Sequence, residues 1–130
     1  MSMIIPALKY RDPDKALAWL QEAFGLEPGE VSRDPDGVVA HAEMWHGDSN
    51  MMFGKSDAEG QEPTQGFGIY VTVDDPDTHC ERAIAAGAEI VYGPDDTPYG
   101  SREYGARDHE GNGWSFGTYV PARPIASKAG

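Results

Sequence analysis

The chain has 130 residues and a formal net charge of −12, from 22 acidic and 10 basic residues. That length suits one domain with a real core, and the acidic balance excludes a nucleic-acid surface, because gripping phosphates needs a basic footprint. The one cysteine, Cys80, excludes an internal disulfide and fits a reducing compartment. Residues 1–6 lack the basic and long apolar regions of a targeting signal, and no stretch approaches the length of a membrane span, so a cytoplasmic protein with no membrane or nucleic-acid partner is expected.

Residues 3–10, with Met3, Ile4, Ile5, Leu8 and Tyr10, read as a strand. Asp12-Pro13-Asp14 follows, an N-cap residue ahead of a proline at the first helical position. Ala16, Leu17, Leu20, Ala23 and Phe24 recur at helical spacing, and Gly25 supplies the stop. Val31-Ser32-Arg33 ends a short second strand, and Asp34-Pro35-Asp36-Gly37 is a turn. Val38 to Trp45 alternates, with Ala40, Ala42 and Met44 on one face and His41, Glu43 and Trp45 on the other, a half-buried strand with a polar second face. Gly47-Asp48 turns the chain into a fourth strand, Asn50 to Gly54, and the polar stretch 55–66 reads as a linker.

The second half repeats this order. Ile69, Val71 and Val73 alternate along a strand; Asp75-Pro76-Asp77 opens a helix carrying Cys80, Ala83 and Ile84, which ends at Gly87. Glu89 to Tyr92 reads as a short strand, Pro94 to Gly100 as a loop, and Ser101 to Arg107 and Gly113 to Tyr119 as the last two strands. The domain is thus divided into module one at 3–54, the linker, module two at 67–120, and a flexible tail at 121–130. The two modules match at an offset of 63 positions: Ile5 to Asp14 with Gly68 to Asp77, and Met51-Met52-Phe53-Gly54 with Trp114-Ser115-Phe116-Gly117.

With Pro98-Tyr99-Gly100-Ser101-Arg102-Glu103-Tyr104, Arg107-Asp108 and Trp114-Ser115-Phe116-Gly117-Thr118-Tyr119, the chain resembles the vicinal oxygen chelate superfamily, the glyoxalase/bleomycin-resistance/dioxygenase group, over nearly all of residues 3–120. It looks like the glyoxalase-like, bleomycin-resistance-like branch. The resemblance implies an α+β fold of two tandem βαβββ modules forming a cupped mixed sheet, with helices on the outer faces, and usually a homodimer. It leaves the chemistry open among lyases, isomerases, dioxygenases and drug-binding proteins.

In metal-dependent members of that superfamily, His or Glu side chains from the first and last strands of each module point into the cup. By the 63-residue offset the corresponding positions are Ile5 and Gly68, Met52 and Ser115, none of them His, Asp or Glu. Divalent ions need imidazole or carboxylate clusters, so no metal held in the family's manner is expected, and no other cofactor is implied. The glycines show no phosphate-binding pattern.

Strand parity extends the argument, because residues two apart share a face. Met52 brings Asn50 to the cup, and Gly68 brings Tyr70 and Thr72. The third strand offers His41, Glu43 and Trp45. The offset pairs His41 with Tyr104 and Val39 with Arg102, which places Arg102 and Tyr104 on the matching face of module two. The expected ligand-binding set is therefore His41, Glu43, Trp45, Met52, Tyr70, Arg102, Tyr104 and Ser115, an aromatic and polar lining suited to a small organic ligand.

His41 and Glu43 could be an acid–base pair, two metal ligands or a structural hydrogen-bonded pair; the structural reading is preferred. His46 and His109 are expected to be exposed beside turns, His79 partly buried, Cys80 and the pair Trp114 and Phe116 in the core, and Trp19 in packing or an interface. The leading expectation is a metal-independent, dimeric binding protein for an aromatic or cationic antibiotic or metabolite. The alternatives are a lyase, isomerase or dioxygenase-type enzyme with a non-standard metal site or a Glu43/His41 base, and a partner-binding module.

Overall fold

The computed structural model describes residues 3–56 and 68–121; the expected linker and tail fall almost wholly outside them. Module one consists of β1 (Ala7–Tyr10), α1 (Pro13–Phe24), β2 (Glu27–Arg33), β3 (Val39–His46) and β4 (Ser49–Lys55). Module two consists of β5 (Gly68–Thr72), α2 (Pro76–Ala85), β6 (Glu89–Asp96), β7 (Arg102–Arg107) and β8 (Gly113–Gly117). The order is βαβββ twice, as the repeat requires.

The same local chemistry starts both helices. The Asp12 carboxylate accepts from the Lys15 amide at 3.0 Å, the Asp75 carboxylate from the Thr78 amide at 3.3 Å, and a proline follows each cap. Helix α1 ends at Gly25, whose φ of 76° is the left-handed conformation that closes a helix without a Cβ penalty.

Each module forms one mixed four-stranded sheet, in the order β1-β4-β3-β2 and β5-β8-β7-β6. The first strand pairs in parallel with the last, and the other pairings are antiparallel. Ala7 lies opposite Met52 and Tyr70 opposite Ser115, so these four strands keep the 63-residue offset. Several strand ends shift by one or two residues from expectation, as where β8 stops at Gly117 rather than Tyr119, and two boundaries differ more. Strand β1 begins at Ala7 rather than at residue 3, and β6 runs on to Asp96 through Pro94. A proline is tolerated there because β6 is an edge strand, and the register shift between Tyr92 and Asp95 takes up the irregularity.

Each helix covers one face of its own sheet, and the two helices pack on each other. Trp19 of α1 donates its indole N–H to the Ala86 carbonyl at 2.8 Å, and the Arg82 guanidinium of α2 reaches the Glu22 and Gln21 carbonyls. Phe24 inserts across the seam, with its ring centroid 4.7 Å from Phe116 and 5.1 Å from Trp114. The Tyr10 hydroxyl donates to Asp108 at 2.6 Å, and the Trp114 indole donates to the same carboxylate. One continuous core therefore lies between the helix-bearing faces, and the uncovered face of each sheet is turned away from it. Among the described residues no helix is long and apolar enough to cross a membrane.

Candidate functional site

On the first sheet the expected alternation holds from His41 to Trp45, but Val39 is buried and Ala40 exposed, the reverse of expectation, because the register shifts between Ser32 and Arg33. Ala42 and Met44 are buried under α1, while His41, Glu43 and Trp45 stand on the uncovered face beside Met52, which pairs with Glu43. The His41 Nε2 lies 3.6 Å from the nearer Glu43 oxygen, an ion-pair distance rather than a hydrogen bond. The Trp45 indole lies close to Gly29 of β2, where a Cβ would come within 2.7 Å of the ring nitrogen. This face is a small, partly exposed patch of one aromatic, one imidazole and one carboxylate.

On the second sheet, Tyr70 and Ser115 stand on the uncovered face, but Arg102 and Tyr104 do not. Tyr104 is 0% exposed, packed against Phe116, with its hydroxyl bonded to His79 Nδ1. Burial pushes its phenol pKa up. Arg102 is tied to Asp77 in the first turn of α2 at 2.6 and 2.9 Å and to Asp96 at 3.1 Å, and these bonds raise its pKa further.

The correction has a simple cause. His41 pairs with Gly54, whereas Glu103 pairs with Gly117, the equivalent glycine. The equivalent of His41 is therefore Glu103, because the second β-hairpin is one residue longer than the first. A one-residue shift moves every side chain to the other face.

Glu103 is thus a residue of the uncovered face that the offset misplaced, and it is the best-connected group there. It is 6% exposed. Its carboxylate accepts from the Tyr70 hydroxyl at 2.8 Å, from the Tyr99 hydroxyl at 3.0 Å to each oxygen, and from the Ser101 hydroxyl at 3.0 Å. Burial alone would raise its pKa; the bonds from Tyr70, Tyr99 and Ser101 outweigh it and hold the group below the usual glutamate value. The Tyr70 phenol is pushed up to about 12 by burial and by that bond, so both partners keep their charge states at neutral pH.

Two glycines make the arrangement possible. A Cβ on Gly117 would come within 2.2 Å of the Tyr70 hydroxyl, and a Cβ on Gly105 within 2.1 Å of the Tyr92 ring. Tyr92 therefore lies across β7 and donates to Ser115 Oγ at 3.1 Å. The sequence carried no signal for Glu103: counting back from Gly117 by the spacing of His41 from Gly54 reaches Tyr104, and only the strand pairing places Glu103 opposite Gly117.

By the 63-residue offset the family positions for a metal would be Ile5, Gly68, Met52 and Ser115; their side chains offer a hydroxyl, which Tyr92 engages, and a soft thioether, with no imidazole or carboxylate. Among the described residues no three His, Cys, Asp or Glu side chains come together. This donor set does not fit a divalent ion bound in the family's manner.

The remaining candidates are structural. His79 bridges Tyr104 and the Phe24 carbonyl, and desolvation lowers its pKa. His109, expected to be exposed, has a side chain only 9% exposed, stacked parallel to Tyr10 and tilted against Trp19. Cys80 is buried, and desolvation raises its thiol pKa, the condition of an unreactive core cysteine. A separate cavity of about 500 Å³ opens at the seam between the modules, walled by Leu26, Met44, Met51, Ile69, Val71 and Trp114. It shares only Tyr70 with the expected ligand-binding set.

The chain's relatives agree with this architecture. The model of the Glyoxalase/Bleomycin resistance protein/Dioxygenase superfamily matches residues 6–116. Among solved structures, TioX from Micromonospora sp. ML1 is similar at 34% identity, covering 95% of this chain and 100% of that one, with a TM-score of 0.73. A glyoxalase/bleomycin resistance protein/dioxygenase family enzyme from Burkholderia phytofirmans PsJN is similar at 23% identity, over 88% and 95% of the two chains, with a TM-score of 0.71. The genomically encoded fosfomycin resistance protein FosX from Listeria monocytogenes shares the fold at 17% identity, over 92% of each chain, with a TM-score of 0.70. No curated protein matches the sequence.

Proposed function

The chain belongs to the glyoxalase/bleomycin resistance protein/dioxygenase superfamily, and from that premise we propose that it is a metal-independent protein that binds a small aromatic or cationic molecule. The observation that carries this reading is the pairing of polar, aromatic uncovered faces with family metal positions that lack donors. A binding protein needs affinity and no Lewis acid, so Ile5, Gly68, Met52 and Ser115 are compatible with sequestration of an antibiotic or metabolite.

The proposal includes a homodimer in the cytoplasm. Within one chain the two uncovered faces point away from the shared core, so a cleft walled by both kinds of face needs a second copy to bring His41, Glu43, Trp45 and Met52 of one chain opposite Tyr70, Ser115 and Glu103 of another. Such a cleft would be enclosed, with aromatic surface from Trp45 and Tyr70 and placed polar groups to orient a small ligand. Cys80 as a lone, reduced thiol fits the cytoplasmic setting.

Two measurements test this. Sedimentation should give a dimer, and a melting-temperature screen of aromatic and cationic compounds should raise Tm, because a ligand that binds only the native state stabilises it by mass action. Stoichiometric Ni, Zn, Fe or Mn in protein purified without chelator, lost in His41→Ala or Glu43→Ala, would overturn metal independence. Turnover of a bound compound that Glu43→Gln abolishes would favour the enzymatic alternative, for which the proximity of His41 to Glu43 is the supporting geometry.

A further inference from the structure

The uncovered face of module two contains a carboxylate with no cationic partner. Glu103 is nearly buried, yet among the described residues its bonds come only from neutral hydroxyls, those of Tyr70, Tyr99 and Ser101, and no Lys, Arg or His forms an ion pair with it. Buried charges are ordinarily paired or neutralised by protonation. Here the hydroxyls replace the lost water and keep the group ionised, which leaves a full negative charge at a fixed place. The donors crowd Oε2, which accepts from all three hydroxyls; Oε1 receives only a shared bond from Tyr99 and retains room for another donor.

The surroundings are aromatic. Tyr99 is 61% exposed and Tyr70 41% exposed, and Tyr119 meets Tyr99 edge-on with ring centroids 5.7 Å apart while its amide donates to the Tyr70 hydroxyl. Tyr92 lies beside them, held to Ser115, the cross-strand partner of Tyr70. A phenol that donates to a carboxylate gains electron density in its ring, so the exposed faces of Tyr70 and Tyr99 attract positive charge more strongly than free tyrosines would. Neither feature suits a small metal ion, because one carboxylate already bonded to three hydroxyls offers too few ligands. Both suit a weakly hydrated organic cation.

Resting on the reading of this face as a ligand site, we propose that Glu103 with Tyr70, Tyr99, Tyr92 and Tyr119 forms a recognition pocket for an alkylammonium or quaternary ammonium group, so that the molecule bound by the protein is a cation. The ammonium lies against the exposed tyrosine faces with its charge directed at Glu103.

The test compares choline with its neutral carbon isostere 3,3-dimethylbutan-1-ol in NMR titrations of the intact protein, following the tyrosine ring signals. Choline should bind about ten-fold or more tightly than the isostere, and Glu103→Gln, which keeps an acceptor oxygen but removes the charge, should abolish that preference without weakening the isostere. The surface variant Asp36→Asn, which also removes one negative charge, should leave the preference intact, and Tm measured on each variant identifies any that fail to fold. Should Glu103→Gln not fold, Tyr99→Phe, which keeps the ring and removes one bond to the carboxylate, should reduce the choline preference by several-fold. Equal binding of choline and the isostere, or a choline preference that survives Glu103→Gln, would overturn the cation assignment. Shifts caused by the neutral compound or by indole on these faces would still leave the ligand-binding reading standing. If neither compound nor indole perturbs either uncovered face, both readings fall.

Discussion

Gly54 and Gly117 occupy the same place in the two modules, yet they meet different surroundings. A Cβ on Gly54 would touch the Ala40 carbonyl at 3.0 Å and the end of the Lys9 side chain at 3.6 Å. A Cβ on Gly117 would collide with the Tyr70 hydroxyl, at 2.2 Å, and with the Glu103 side chain, at 2.5 Å. The contrast extends across both sheets. Module one presents His41, Glu43 and Trp45 with one loose ion pair among them, whereas module two presents a carboxylate held by three hydroxyls. One backbone frame therefore supports two kinds of surface: one with few bonds among its side chains, and one tied together by hydrogen bonds. A hydrogen-bonded network of this kind keeps its geometry before a ligand arrives, which lowers the cost of binding.

The largest expected difference between the modules lies in their cores. Phe53 packs edge-on against Tyr10 within module one, whereas Phe116 meets Phe24, His79, Tyr104 and Trp114 and so joins the two modules. Phe116→Ala should cost about 4–5 kcal/mol and Phe53→Ala about 3 kcal/mol in urea unfolding. Equal costs would mean that the seam is no better packed than the module interior.

Next comes the glycine pair. Gly117→Ala should cost about 2 kcal/mol through overpacking and should free the Tyr70 hydroxyl, visible as a drop in the Tyr70 phenol pKa from about 12, while Gly54→Ala should stay below about 1 kcal/mol. An unchanged Tyr70 titration in Gly117→Ala would show that the two groups do not meet in solution.

Acid should then act on the module-two histidines. Desolvation lowers the pKa of His79 and of His109 below 6.5, so near and below that value the unfolded chain binds more protons than the native one. The stability contributed by the neutral rings is fully present above pH 6.5 and falls as the pH drops from there towards the native pKa values. His79→Phe and His109→Phe should each flatten the decline of Tm with acid in that window; an unaltered slope in both would refute the assignment.

The smallest effects belong to the uncovered faces. Glu103 has a lowered pKa, so its contribution is present above pH 4.5 and is lost as the pH falls through its native value. Glu103→Gln should remove that part of the acid sensitivity. Glu43→Gln should change stability by no more than about 0.5 kcal/mol at neutral pH, as partly exposed substitutions away from special contacts do.

Much of this molecule was legible in the residues. Asp12-Pro13 and Asp75-Pro76 announce both helices because a cap acts on its own first turn, and Gly25 marks an end for the same local reason. The alternation from His41 to Trp45 identifies the uncovered face of β3 because that face is defined by burial within one module, whereas the register shift beside Val39 and Ala40 was not legible. His109 was misread because its neighbours in sequence form a turn, while Tyr10 and Trp19, which bury it, come from the other module. The partners of Glu103 were hidden for a related reason: Tyr70 lies on β5 and Tyr99 in the loop before β7, and only strand pairing brings them together.

By itself, then, the sequence determined the two-module frame and the identity of its helices and strands, since caps, periodicity and an internal repeat act over short distances. Tertiary structure alone decided which face of β7 lines the uncovered surface. Side chains alternate with a period of two, so one extra residue in the hairpin exchanges Arg102 and Tyr104 for Glu103, and only the pairing of Glu103 with Gly117 fixes which of them faces outward.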